Sequence, residues 1–120
     1  MIIKKILVAE DNDSYYILMT YILKKYYTYD RAKNGQEAVE MADKAEYDIV
    51  LMDIKMPIMD GLEATKAIKE KFPDLPIVAL TANAFDSDRQ LAFDAGCDDF
   101  LSKPVSSDAC IQVIKKLVGE

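Results

Sequence analysis

Four short apolar runs in this chain end on groups that can do chemistry. Ile6-Leu7-Val8-Ala9 runs into Glu10-Asp11, Ile49-Val50-Leu51-Met52 into Asp53, and Pro76-Ile77-Val78-Ala79-Leu80 into Thr81. A weaker run, Asp98-Asp99-Phe100-Leu101-Ser102, ends in Lys103-Pro104. Gathered in one cleft, three carboxylates repel one another. Two unit charges about 4 Å apart cost roughly 4 kcal/mol at an effective dielectric of about 20, and one lysine offsets only part of that. Either a carboxylate takes up a proton or a divalent cation binds. An all-oxygen ligand set suits a hard ion, Mg²⁺ ahead of the transition metals. Asp53 would then be a nucleophile toward phosphorus, forming an acyl phosphate. Lys103 would bind one phosphoryl oxygen as a point charge, and the Thr81 hydroxyl would donate to another. Taken singly, each group has an ordinary explanation: a turn-forming Asp, a helix-capping acidic pair, a loop Lys-Pro. Four strand ends supplying these groups together carry the argument.

The elements that must position them follow from the pattern. A short continuous apolar run reads as a strand buried on both faces. After Asp53, Met56-Pro57 and Asp60-Gly61 mark a shaped loop. Asn12, Asp13 and Ser14 can cap a helix reaching to about Tyr26. Leu18, Ile22 and Tyr26 form its expected core stripe, with Tyr15, Tyr16, Ile17, Met19 and Leu23 partly off it. Tyr27 to Lys33 reads as the most polar strand, hence near an edge. Gln36 to Ala45 fits a helix with Ala38, Val39 and Ala42 inward. Leu62 to Lys71 fits another, with Leu62, Ala64, Ala67 and Ile68 inward, stopped by Pro73. Phe85 to Ala95 is a helix closed by Gly96. Ser106 or Ser107 caps the last helix, with Ile111, Ile114, Leu117 and Val118 inward. Five strands alternating with five helices predict an α/β fold, a doubly wound parallel sheet with helices on both faces. Ligands of such sheets bind beyond the carboxyl ends of the strands.

Composition narrows the function. The 120 residues suffice for a single domain, 1–120, with its own core. A net charge of −6 argues against direct nucleic-acid binding. With no histidine in the chain, zinc-type sites and histidine-based catalysis are excluded. Cys97 and Cys110 have no CxxC spacing and read as reduced core thiols. No apolar run approaches the roughly 18 residues of a membrane span. A cytoplasmic domain making no membrane contact of its own is expected.

With these residues in hand, the sequence resembles a response-regulator receiver domain. The likeness runs from Lys5 to about Leu117. It rests on Ile6-Leu7-Val8-Ala9-Glu10-Asp11-Asn12, Leu51-Met52-Asp53 with Met56-Pro57-Ile58-Met59-Asp60-Gly61, Ala79-Leu80-Thr81-Ala82, and Ala95-Gly96-Cys97-Asp98-Asp99-Phe100-Leu101-Ser102-Lys103-Pro104. The resemblance implies the flavodoxin-like (βα)5 strand order 2-1-3-4-5. It also implies roles. Asp53 is the phosphoacceptor. Asp11 binds Mg²⁺ directly, Glu10 through water, and the Lys55 backbone carbonyl is a further ligand. Thr81 and Lys103 sense the phosphoryl group, and Phe100 is the aromatic switch. Lys103-Pro104 occupies the position of a cis peptide. The donor would be a phosphohistidine on a histidine kinase or histidine phosphotransfer domain. The spare apolar face of the first helix (Tyr15, Tyr16, Met19) would dock that partner. On phosphorylation the face made by the fourth helix, fifth strand and fifth helix would change shape.

Two departures are visible: the acidic pair is Glu-Asp where many members have Asp-Asp, and Lys55 stands where Met is frequent. The wording around Glu10 to Met19 and Leu80 to Arg89 is most similar to receivers at the ends of hybrid sensor histidine kinases. The chain would then be a cytoplasmic piece of a larger kinase relaying phosphoryl groups; a stand-alone response regulator is the alternative. A small-molecule aspartate phosphatase would need a second Asp where Lys55 stands. A flavin binder would place its phosphate against Glu10-Asp11, which would repel it. A degenerate receiver would lack the acids, the acceptor or the lysine, and all are present.

Overall fold

The computed structural model of the chain describes residues 4–82 and 86–119. Elements alternate in chain order: β1 (Lys5–Ala9), α1 (Asp13–Leu23), β2 (Thr28–Ala32), α2 (Gly35–Lys44), β3 (Ile49–Asp53), α3 (Gly61–Lys71), β4 (Ile77–Thr81), α4 (Asp86–Ala95), β5 (Asp99–Ser102) and α5 (Ser107–Val118). Phe85, expected to open the fourth helix, lies outside the described residues.

All strands pair in parallel, in the order β2-β1-β3-β4-β5. The polar strand β2 is at an edge, as its composition implied. Side chains of successive strand residues point to opposite faces. Ile6, Val8, Ile49, Leu51, Val78, Leu80 and Leu101 pack against α1 and α5. Leu7, Ala9, Val50, Met52, Ile77 and Ala79 pack against α2, α3 and α4. Both layers are apolar, so the central strands must be apolar throughout. Cys97 and Cys110 are buried, free thiols, and burial pushes the Cys110 thiol up to about 12.

Helix α1 departs from expectation in one respect that matters for function. Its buried residues are Met19, Ile22 and Leu23, an i, i+3, i+4 stripe. The helix ends at Leu23, and the Tyr27 amide donates to the Leu23 carbonyl at 2.9 Å. That turn carries Tyr27 into the core and leaves Tyr26 62% exposed, so Tyr26 is not a core residue. Met19, expected on a docking face, is instead 1% exposed.

Register and close packing set the strand ends. Ala9 pairs with Met52, Asp53 with Leu80 and Thr81 with Ser102. Glu10 therefore emerges beside Asp53, with Thr81 and Lys103 one step further along. After β3 the chain turns tightly. The Gly61 amide donates to the Ile54 carbonyl at 2.8 Å, and the Asp60 side chain caps α3 through the Glu63 amide at 2.9 Å. A Cβ at Gly61 would collide with the Asp53 backbone carbonyl. Glycine at this position lets α3 start directly against the end of β3.

Candidate active site at the strand ends

Each group of the cleft stands where a strand runs out. Glu10 follows β1 and is fully buried. Its Oε2 accepts the Asn12 amide at 3.2 Å. Asn12 in turn caps α1 by accepting the Tyr15 amide at 3.1 Å. Asp53 closes β3 at 5% exposure. One carboxylate oxygen each from Glu10, Asp11 and Asp53 lie within 4.8 Å of one another. Lys103, from the end of β5, sends its ammonium between two of them: Nζ is 2.7 Å from Glu10 Oε1 and 3.2 Å from Asp53 Oδ2. Its third neighbour is the Tyr15 ring, whose centroid is 4.4 Å away. Thr81, buried at the end of β4, lines the same cleft of about 220 Å³, as do Lys55 and Asp88.

The electrostatics follow from this crowding. Burial, then the neighbouring Glu10, pushes the Asp53 carboxyl up to about 7, while Lys103 pulls it back. Burial works against the Lys103 ammonium, but Glu10 and Asp53 more than offset it and hold its pKa above the ordinary lysine value. Three carboxylates face one ammonium. Glu10 Oε1 is buried, and the Lys103 ammonium meets it at 2.7 Å. Carboxylate oxygens from three residues within 4.8 Å of one another, with one ammonium to offset them, are a fit for a hard divalent cation. The donor set therefore fits Mg²⁺.

The cleft thus gathers Glu10, Asp11, Asp53, Lys55, Thr81 and Lys103. Of the three expected docking residues, Tyr15 turns toward the cleft. Tyr16 packs beneath the Arg31 guanidinium, 4.4 Å from its ring, and edge-on to Tyr29. Met19 is in the core, so the docking assignment of Met19 is withdrawn. The outward large apolar residues of α1 are Ile17 and Tyr21, 52% and 63% exposed. Phe100 stands away from the cleft, between the Phe93 ring at 6.2 Å and the Arg89 guanidinium at 4.8 Å. Lys103-Pro104 is a cis peptide. Sequence reasoning left out Asp88, which no motif marks. It also left out Arg31, whose only signal was a charge on a tyrosine-rich strand.

A family model described as "Response regulator receiver domain" matches residues 6–115. The chain belongs to the response regulator receiver domain family. Receiver domains are phosphoacceptors of two-component phosphorelays, and the expected likeness to hybrid-kinase receivers is borne out. This receiver is 45% identical over 129 aligned residues to hybrid signal transduction histidine kinase B of Dictyostelium discoideum, covering 95% of this chain and 7% of that protein. It is 33% identical to the polar-differentiation response regulator DivK of Brucella anthropi, covering 98% of each. Among solved structures, the receiver domain of sensor histidine kinase PA1611 from Pseudomonas aeruginosa matches with a TM-score of 0.92 and 33% identity, covering 99% of this chain and 100% of that one. That receiver holds a magnesium ion in its active-site cleft. A chain of the co-crystal structure of the Saccharomyces cerevisiae phosphotransfer protein Ypd1 with the receiver domain of Ssk1 matches with a TM-score of 0.91 and 30% identity, covering 99% of this chain and 92% of that one. Among the described residues, no helix is long and apolar enough to cross a membrane.

Proposed function

We propose that Asp53 accepts a phosphoryl group from a phosphohistidine on a partner protein, within a single receiver unit spanning residues 1–120. The observation that carries this is the Lys103 ammonium, 2.7 Å from Glu10 and 3.2 Å from Asp53 in a cleft that also holds Asp11 and Thr81. Asp11, Asp53, Glu10 and the Lys55 backbone carbonyl would hold Mg²⁺. When bound, the ion supplies positive charge that screens the carboxylates from each other and from phosphoryl oxygens. Lys103 favours the ionised form of Asp53 by its charge, without fully offsetting burial and Glu10, and later binds a phosphoryl oxygen. An Asp53 carboxylate oxygen attacks phosphorus as the bond to the histidine nitrogen breaks; the electron pair leaves with the imidazole. Transfer is mostly positioning and electrostatics, so few groups suffice.

The new group brings a charge of about −1.5 to −2 and three acceptor oxygens. Thr81 donates to one of them, and Phe100 responds as the switch, altering the face formed by α4, β5 and α5. The outward face of α1, with Ile17 and Tyr21, docks a histidine kinase or histidine phosphotransfer domain, and Tyr15 lines the cleft beside it. The domain transfers groups to and from partners and is not an enzyme toward small molecules. It acts in the cytoplasm without contacting nucleic acid or membrane. The 45% identity to a hybrid kinase favours a receiver within such a kinase, and the end-to-end match to DivK favours a stand-alone regulator. Incubation with a phosphorylated histidine phosphotransfer domain and Mg²⁺ tests the proposal. Wild type should take up the label and Asp53→Asn should not; equal uptake by both would overturn it.

A further inference from the structure

The acidic pair is held from the neighbouring edge strand by a side chain outside the cleft. Where β1 runs out, the Glu10 amide donates to the Ala32 carbonyl at 3.0 Å, the last backbone bond between β1 and β2. A parallel ladder that continued would give the Glu10 carbonyl an amide from β2. β2 ends at Ala32, and the Arg31 side chain takes over. Its Nε donates to the Glu10 carbonyl at 3.0 Å, and its Nη2 to the Asp11 carbonyl at 3.3 Å. The same Nη2 reaches Asp13 Oδ1 at 2.8 Å, in the first turn of α1. The guanidinium is itself fixed from below. It lies over the Tyr16 ring at 4.4 Å, and Tyr16 meets Tyr29 edge-on at 6.5 Å. Its side chain is only 17% exposed, although Asp13 is 81% exposed.

These contacts share one target. Three residues within one four-residue stretch, Glu10, Asp11 and Asp13, hang from one planar fork. Only arginine has parallel donors that can serve adjacent carbonyls while stacking on an aromatic face. We propose that Arg31 is a positioning residue for the cation site: it fixes the backbone of Glu10 and Asp11, so their carboxylates meet Asp53 at the spacing a divalent ion requires. Groups behind a metal ligand that set its orientation are worth about 10–100-fold in affinity. The inference rests on the proposed Mg²⁺ site.

Charge and positioning predict opposite effects, which makes the test sharp. Arg31 is a cation close to a cation site. If its charge alone mattered, neutralising it would tighten Mg²⁺ binding, and Arg31→Lys would change nothing. If positioning matters, both Arg31→Gln and Arg31→Lys weaken Mg²⁺ binding. Mg²⁺ affinity is read by titration of backbone amide NMR shifts at Glu10, Asp11 and Asp53, with the spectrum reporting folding of each variant. Tyr16→Leu, which removes the stack and leaves every Arg31 hydrogen-bond partner, serves as a milder second variant. The expected result is about tenfold weaker binding in both Arg31 variants and a smaller loss in Tyr16→Leu. Wild type binding Mg²⁺ with affinity unchanged or tightened in the folded Arg31 variants would overturn this inference alone. Wild type showing no Mg²⁺ binding would overturn the Mg²⁺ site, and this inference with it.

Discussion

Asp53 carries two opposed demands. It must be ionised to attack phosphorus, yet burial and Glu10 lift its pKa from 3.8 to about 7. Lys103 answers part of this by lying 3.2 Å away, and a bound dication would answer the rest. The raised value sets the sign of a pH effect. The folded state holds the Asp53 proton more tightly than the unfolded chain does. The stability this contributes is complete below about pH 4 and is lost as pH rises toward about 7. In metal-free buffer, Asp53→Asn should therefore melt above wild type at pH 8, with the gap closing toward pH 5. Each kcal/mol corresponds to about 4 °C in a domain of this size. Thermal melts with and without Mg²⁺ check this, and the ion should stabilise wild type at pH 8 far more than the variant. A gap that is the same at both pH values would contradict the electrostatic account of the site.

At the scale of elements, α1 shows what periodicity can and cannot resolve. Strand ends were legible because a strand buried on both faces must be apolar until it emerges, so the change to acid or lysine marks its tip. Helix α1 is apolar nearly all round, from Tyr15 to Leu23, and several stripes fit it. The expected stripe through Leu18, Ile22 and Tyr26 competes with the observed one through Met19, Ile22 and Leu23. The helix ending at Leu23 decides between them, and that ending has no proline or glycine to announce it. The consequence is a specific prediction about docking. Ile17→Asp with Tyr21→Asp should slow transfer from a phosphorylated histidine phosphotransfer domain by about tenfold or more, as loss of central apolar anchors does at interfaces. Labelling by acetyl phosphate should be unchanged. A parallel rate assay with the two donors checks this; equal slowing with both would mean that the substitutions disturb the fold. Met19→Asp should instead unfold the domain, because it places a charge in the α1–α5 layer.

At the scale of the whole molecule, the strand order converts scattered residues into one site. Placing β1 and β3 side by side at the centre brings Glu10 to Asp53, and β4 and β5 add Thr81 and Lys103 from the other side. Alternation of strands and helices implied a doubly wound sheet, but the order of its strands came from likeness to known receivers, because connection lengths alone allow several orders. The same gap hid Arg31: its role exists only because β2 lies next to β1. Asp88 was hidden too, since no local pattern tells that the first turn of α4 lines the cleft. What the assembled molecule must do is take a phosphoryl group at one position. The direct measurement is to incubate the domain with acetyl phosphate and Mg²⁺, trap the product by borohydride reduction, and map the modified peptide by mass spectrometry. Modification at Asp53, lost when Mg²⁺ is chelated and absent in Asp53→Asn, is the predicted result; modification at another carboxylate, or none in wild type with Mg²⁺ present, would contradict the account.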